Sequence, residues 1–169
     1  MEDKAVRILG ENRIMAIATT RPDGWPQATI VGYANDGILI YFAISRQSQK
    51  FANIARDDRV SLAIGRDFHD PSSIRGLSIA AHASEVLDDR QRVHARDLLL
   101  EAHPGLRKLE TPDAEHSAIM RAKPAIITIV DYTKGFGHSD ILTVSPGGTD
   151  MTPARDDDWG FTAVLKPPT

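Results

Sequence analysis

Apolar and polar residues alternate along the first part of the chain in a way that predicts short strands joined by tight turns. Small and branched residues alternate loosely over 13–20, and Arg21-Pro22-Asp23-Gly24 supplies a proline-initiated turn before a second strand over 26–34. Asn35-Asp36-Gly37 then indicates a hairpin, because Asp-Gly tolerates the positive φ angles of a tight turn. The apolar run Ile38–Ile44 is therefore predicted to return antiparallel to the second strand.

Further strands are predicted in the later part of the chain. Arg59–Ile64 alternates cleanly, as a half-buried strand does, and Leu77–Val86 contains small residues that suggest close approach of neighbouring backbone. Ala125–Val130 follows Pro124 and predicts another strand, and Ile141–Val144 adds one more.

Three segments carry apolar residues at helical spacing. The first covers Lys4–Leu9, the second begins near Ser48, and the third is capped by Asp88 or Asp89. A short helical piece is also predicted over 114–120. Because strands outnumber helices and the early strands are joined by tight turns, the pattern favours a mainly β fold with some α, an antiparallel barrel whose openings are plugged by helices.

Length and composition fit one globular domain. The 169 residues, 41% hydrophobic and 25% charged, can bury one sizeable core. We assign residues 1–145 to this domain. Prolines, glycines and an acidic run predict that residues 146–169 form an irregular tail, in which 161–165 could pair as an edge strand.

Charge and residue usage exclude several classes of function. The formal charge is −3 and the basic residues are scattered among acidic ones, which argues against nucleic acid as a partner. The chain has no cysteine, and its six histidines show no pair at the four-residue spacing of a helical metal site. The charged N-terminus and the lack of a long apolar segment predict no membrane span and a cytoplasmic protein.

Candidate chemistry lies where the Tyr41-Phe42 strand ends. There the segment Ser45–Lys50 brings two hydroxyls, two cations and two amides to the start of a helix. A helix N-terminus has N–H groups without intrahelical partners and a partial positive charge, so such a patch attracts phosphate. The alternative is a capped helix with a solvated lysine. We favour a phosphorylated cofactor.

The order of these motifs resembles the pyridoxamine 5′-phosphate oxidase-like family, the flavin-binding split barrels. The resemblance rests on the Pro-Asp-Gly turn, Trp25-Pro26 at a strand start, the Asp-Gly hairpin, the Tyr-Phe strand and Ser45–Lys50, and it covers roughly residues 5–145. It implies an antiparallel split β-barrel with peripheral helices that binds FMN and forms a homodimer, each flavin lying between two barrels.

The resemblance also implies roles for individual residues. Backbone groups on the second strand would lie beside the isoalloxazine ring, the end of the third strand would flank the ribityl chain, and the helix start would hold the phosphate. Many members have an arginine before the lysine; this chain has Gln49 there, so Arg46 is the candidate to compensate. The implied cofactor-binding residues are Thr29, Ile30, Val31, Ala43, Ile44, Ser45, Arg46, Ser48, Gln49, Lys50 and His138.

The expected function is that of an FMN-dependent oxidoreductase acting on a small organic substrate, with NAD(P)H as a candidate electron donor. Pyridoxamine phosphate oxidase activity itself is rejected, because nothing after Val144 matches the Arg-x-His substrate motif of the true oxidases. Two alternatives stay open on the same scaffold: a deazaflavin-dependent reductase, and a non-catalytic flavin- or haem-binding protein.

Two residues outside the phosphate segment, Trp25 and His138, have both a packing and a cofactor interpretation. Trp25 is expected to pack in the ordinary way, whereas for His138 packing and a position near the flavin, from a second subunit, are equally open. His138-Ser139-Asp140 is not a hydrolase triad, because neighbouring residues on a strand point to opposite faces.

Overall fold

The computed structural model describes residues 1–108, 115–145 and 151–153. Its α-helices are α1 Glu2–Glu11, α2 Gln49–Arg56 and α3 Asp89–Ala102. Its strands are β1 Ile14–Thr20, β2 Pro26–Asp36, β3 Leu39–Ser45, β4 Arg59–Gly65, β5 Arg75–Glu85, β6 Ser117–Asp131, β7 Ser139–Val144 and β8 Met151–Pro153. Three short 3-10 turns occupy Pro71–Ser73, Pro104–Lys108 and Tyr132–Lys134.

Six antiparallel strands close into a barrel. The strand order is β3-β2-β1-β4-β5-β6, and β6 pairs back onto β3 from Ser45↔Ser117 to Ile40↔Ala122. Beyond that pairing β6 continues and pairs with β7 instead, and β7 pairs with β8. The expected antiparallel split barrel with peripheral helices is therefore confirmed.

The alternation that predicted the strands places their apolar side chains inside the barrel. In β4, for example, Val60, Leu62 and Ile64 are buried while the residues between them are exposed. The largest fully buried side chains that line this interior are Tyr33, Phe42, Leu9, Met15, Ile17, Ile40, Leu62, Ile79, Ile127, Ile129 and Leu142.

The helices cover the barrel in different places. Ala5, Ile8 and Leu9 of α1, together with Ile54 of α2, belong to the same buried cluster as the barrel interior. The helix α3 instead lies on the outer face of the barrel, where Ala95 packs with Tyr41 of β3. Among the described residues no helix is both long and apolar enough to cross a membrane.

The prediction of a helical piece over 114–120 is wrong. Residues 117–120 belong to β6, where burial alternates residue by residue and the strand pairs with both β3 and β5. Alanine and methionine are good helix formers, but long-range pairing overrides a local propensity of this size. The prediction for residue 114 lies outside the described residues.

The strand predicted over 125–130 is the second half of a longer one. Pro124 lies inside β6 opposite Ala81, and the register with β5 shifts there, since Ala80 pairs with Ile126. A proline, which cannot donate to the ladder, is tolerated at such a bulge. Met151–Pro153 pairs with β7 inside the segment expected to be irregular, and the edge strand predicted over 161–165 lies outside the described residues.

Candidate cofactor site

The helix α2 begins at a capped N-terminus directly after β3. The Ser48 hydroxyl accepts a hydrogen bond from the Phe51 N–H (3.3 Å) and donates one to the Ser45 carbonyl (2.7 Å). The Ser45 hydroxyl accepts from the Gln47 N–H at 3.2 Å. Both serines therefore hold the turn in shape, as the capping alternative requires, and the first N–H groups of α2 are left without intrahelical partners.

Lys50 lies in the first turn of α2 and is partly exposed. Within the described part of the chain, its ammonium group has no hydrogen bond and no ion pair. A cation beside unpaired N–H groups at a helix start is suited to an anion. This corner can therefore accept a phosphate without first breaking a contact of Lys50.

Arg46 is bound to a carboxylate. Its Nη1 and Nη2 donate to the two oxygens of Glu85 at 3.0 and 2.5 Å, and its guanidinium lies 5.6 Å from the centre of the Phe51 ring. These hydrogen bonds to the Glu85 carboxylate raise the pKa of Arg46. A bidentate pair of this kind fixes the arginine in position, so any phosphate that uses Arg46 has to share it with Glu85.

Gln49 joins an amide network that is centred on the buried Asn53 and fixes α2 against the barrel. Its Nε2 donates to Asn53 Oδ1 at 2.9 Å, and Asn53 Nδ2 donates to Thr19 Oγ1 (3.0 Å) and Gln27 Oε1 (3.2 Å). Asn53 is fully buried. The network connects α2 with β1 and the start of β2, which places the phosphate corner next to the first half of β2.

The first half of β2 presents Thr29, Ile30 and Val31 alternately to two sides. Thr29 and Val31 are partly buried, and Val31 packs against the barrel core. Ile30 points outward and is 68% exposed. The Thr29 hydroxyl oxygen is buried and has no hydrogen-bond partner among the described residues. Successive residues of a strand face opposite sides of the sheet. One flat ring can therefore contact the side chain of Thr29 or that of Ile30, but not both.

The end of β3 shows the same division. Ala43 and Ser45 are exposed on the outer face, whereas Ile44 is buried in the core. Only the backbone of Ile44 is available to a ligand. Since β2 pairs with β3 only from Tyr33↔Phe42 to Asp36↔Leu39, the strand segments that carry Thr29 and Ser45 are not paired with each other.

His138 does not join these residues within one chain. Ser45 pairs with Ser117 at one end of β6, whereas His138 lies beyond the other end, where Val130 pairs with Ser139. Those two β6 positions are separated by roughly 40 Å of strand at about 3.3 Å per residue. His138 Nε2 lies 3.2 Å from Asp140 Oδ1. Burial raises the pKa of Asp140, but hydrogen bonds and charge from Lys134 and His138 outweigh it and lower the pKa.

Two aromatic side chains are left on the surface. Trp25 is 71% exposed, so the expectation that it packs in the ordinary way is wrong within this chain. Phe136 is 95% exposed, and its ring lies 5.4 Å from the Tyr132 ring, centre to centre, with the two planes tilted by 50°.

Sequence reasoning missed a groove beside the site. A cavity of about 420 Å³ lies between α3 and the outer face of β3 and β6, and Ala43 and Arg46 line it together with Arg92 and Arg96. The i, i+4 spacing of these two arginines and the three leucines at 98–100 are the sequence signals from which it could have been found. No group of three or more metal-ligating side chains occurs within the described residues.

Solved structures share this fold. A heme binding protein from Mycobacterium smegmatis is 22% identical, with a TM-score of 0.70; the match covers 84% of this chain but 56% of that protein, so the chain spans just over half of its length. A conserved hypothetical protein from Mycobacterium tuberculosis is 23% identical, with a TM-score of 0.70 and coverage of 88% and 93%. An F420 reductase is 25% identical, with a TM-score of 0.55 and coverage of 70% and 90%.

A search of curated proteins found no match. The family model described as pyridoxamine 5′-phosphate oxidase, in contrast, matches residues 1–129. These include the barrel as far as Ile129 of β6 and the whole of Ser45–Lys50 at the start of α2, which we call the α2 corner. By that match and by its split barrel, the chain belongs to the pyridoxamine 5′-phosphate oxidase family.

Proposed function

We propose that this protein is an FMN-dependent oxidoreductase that acts on a small organic substrate. The observation that carries the proposal is the α2 corner, where the Lys50 ammonium has no partner among the described residues and lies beside the free N–H groups of the first helical turn. The FMN phosphate would bind there, held by Lys50 and the N–H groups of Gln49 and Lys50.

The first half of β2 fits the isoalloxazine ring. The Thr29 hydroxyl is buried without a partner in the described structure, and a buried polar atom left in this state costs free energy. A ring carbonyl or nitrogen of the flavin would satisfy it. Bound FMN supplies the hydride-transfer chemistry, while the residues of this chain bind it, orient the ring against β2 and limit the access of water.

A homodimer is part of the proposal. The outer face of β1 and β2 is apolar and exposed: Ile14 is 57% and Ile30 68% exposed, and Ala16 and Ala18 lie on the same face, paired with Ile30 and Ala28. Such a face on two adjacent strands is suited to a second copy of itself. In such a dimer, His138 of the partner subunit would reach the flavin.

A second candidate function is deazaflavin-dependent reduction, with the cofactor bound at the same α2 corner. Its support is the similarity to the F420 reductase, at 25% identity over 70% of this chain. The α2 corner offers the same phosphate contacts to either cofactor. The cations of the α2 corner are Arg46 and Lys50, and Arg46 is already paired with Glu85. Because so few cations are available there, we favour FMN, whose anionic tail is shorter than that of a deazaflavin cofactor.

The experiment first identifies the cofactor and then tests whether a nicotinamide reduces it. The purified protein is denatured and any released chromophore is identified by mass spectrometry; the protein reconstituted with FMN is then mixed anaerobically with NADH or NADPH. Bleaching of the flavin absorbance supports the enzyme. Release of F420 favours the second candidate, and a bound flavin or haem that neither donor reduces favours a non-catalytic carrier over the oxidoreductase.

A further inference from the structure

The groove between α3 and the barrel combines an apolar floor with a basic rim. Its floor is formed by Ala43, Val93, Leu99, Leu100, Leu106 and Ile119. Its charged residues are Arg46, Arg92, Arg96 and Glu85, so guanidinium groups outnumber carboxylates three to one. The volume of about 420 Å³ lies within the range of small-molecule sites.

The two arginines on α3 are loosely held. Arg92 pairs with Asp89, whose side chain is 84% exposed, and Arg96 lies 3.5 Å from Asp97, with both side chains at least 60% exposed. Exposed pairs of this kind contribute little and exchange readily. Because Arg92 and Arg96 are one helical turn apart, both guanidinium groups can turn to one anion above the groove.

The apolar part of the groove is also accessible. Val93, between the two arginines in sequence, is 47% exposed, although it faces the same cavity as Leu100 and Ile119. A ligand that covers Val93 would gain hydrophobic burial while its charged end stays at the rim.

We propose that the groove binds an organic anion with an apolar body, its acidic group paired with Arg92 and Arg96 and its body lying on Val93, Leu100 and Ile119. Ala43 and Arg46 belong both to this groove and to the candidate cofactor site. A ligand there would lie next to the ribityl and phosphate end of the FMN, an arrangement that rests on the proposed FMN function; the anion site itself does not.

The test uses two fluorescent probes that differ in one charge. 1-Anilinonaphthalene-8-sulfonate has an aromatic body and a sulfonate, and N-phenyl-1-naphthylamine has the same body without the charge. Each is titrated into the full chain, with and without FMN. Decanoate and decanol serve as competitors that differ in the same way.

The expected result is specific to the groove. The double variant Arg92→Gln/Arg96→Gln weakens binding of the sulfonate by about tenfold or more and leaves the neutral probe unchanged, since the loss removes charge-assisted contacts only. Arg90→Gln, on the same helix but outside the groove lining, binds both probes like the wild type. Val93→Glu weakens both probes, and decanoate displaces the sulfonate better than decanol does.

Other outcomes overturn the proposal in separable ways. Sulfonate binding that the double variant does not weaken, or that Arg90→Gln weakens equally, excludes the groove as the site. Groove-specific binding in a chain that does not bind FMN overturns the proposed function and leaves the anion site without a cofactor beside it. Binding of FMN without any groove-specific probe binding leaves the flavoprotein and rejects this anion site.

Discussion

Asn53 Nδ2 donates a hydrogen bond to Thr19 Oγ1 at 3.0 Å, and both residues are buried, at 0% and 2% exposure. This contact joins α2 to β1. The same Nδ2 also donates to Gln27 Oε1, and Asn53 Oδ1 accepts from Gln49 Nε2. The helix whose first turn forms the candidate phosphate corner is thus fixed to the barrel by a polar contact inside the apolar core.

Asn53→Leu is expected to lower the free energy of unfolding by about 1–3 kcal/mol, because it leaves the Thr19 hydroxyl buried without a partner. Adding Thr19→Val removes that orphaned group, so the double variant should recover part of the loss. Urea unfolding of the four proteins in the cycle measures the coupling. Strictly additive effects would show that the contact does not hold α2 in place.

Gly76→Ala is expected to destabilise the barrel by about 1–3 kcal/mol, since a Cβ at Gly76 would lie 2.6 Å from the Ile64 carbonyl oxygen, a backbone atom that cannot move aside. Gly10→Ala is the control. It meets nothing within 4 Å and lies in α1, so it should stabilise by up to about 1 kcal/mol. Thermal unfolding of both variants checks the pair; similar behaviour would contradict the close approach of β4 and β5.

The contact between Lys4 and Asp131 should make stability depend on pH at the acidic end. Hydrogen bonds from Lys4 and Thr133 lower the pKa of Asp131 to about 2. Since the folded pKa lies below the unfolded value of about 3.9, the stabilisation is present above about pH 4 and is lost as the pH falls towards 2.

Asp131→Asn is therefore expected to be less stable than the wild type at pH 7, with a difference that shrinks between about pH 4 and pH 2. The exposed Asp67→Asn should show a much smaller difference at pH 7. Denaturant unfolding over this range is the measurement. A difference that stays constant with pH would show that the carboxylate charge of Asp131 is not what stabilises the fold.

Ile30→Glu is expected to dissociate the proposed homodimer, because it places a charge in the centre of the apolar β1–β2 face. Leu87→Glu is a matched control, since Leu87 is 74% exposed but lies between β5 and α3, away from that face. Analytical ultracentrifugation gives the oligomeric state. A wild-type monomer, or equal dissociation by both variants, would reject this interface.

The local patterns predicted most of the barrel because they are set by neighbouring residues. The alternation in β4 and the Asp-Gly turn at 36–37, where Gly37 has a φ of 58°, both follow from the chain itself. The course of β6 does not. Its first half is a strand only because β3 and β5 lie on either side of it, and a propensity-based argument cannot supply those partners.

The candidate site also has features that the sequence predicted and features that depend on distant residues. The sequence predicted a helix beginning near Ser48 and gave a cap there as the alternative to a phosphate site, since a hydroxyl before a helix start is a local signal. It did not predict that Glu85, 39 residues away, engages Arg46, nor that Ile44 turns into the core. It also could not show that His138 lies at the far end of β6, because that separation depends on the pairing register.

The central claim is that an FMN phosphate binds at the start of α2 through Lys50. Quenching of FMN fluorescence on titration with the protein measures it most directly, using Lys50→Met, which keeps the aliphatic chain, Lys50→Arg, which keeps the charge, and Arg90→Gln, which removes a charge elsewhere. We predict that Lys50→Met weakens FMN binding by about 1.5–3 kcal/mol, that Lys50→Arg retains most of the affinity, and that Arg90→Gln binds like the wild type. Wild-type affinity in Lys50→Met, or no FMN binding by the wild type, would contradict the claim.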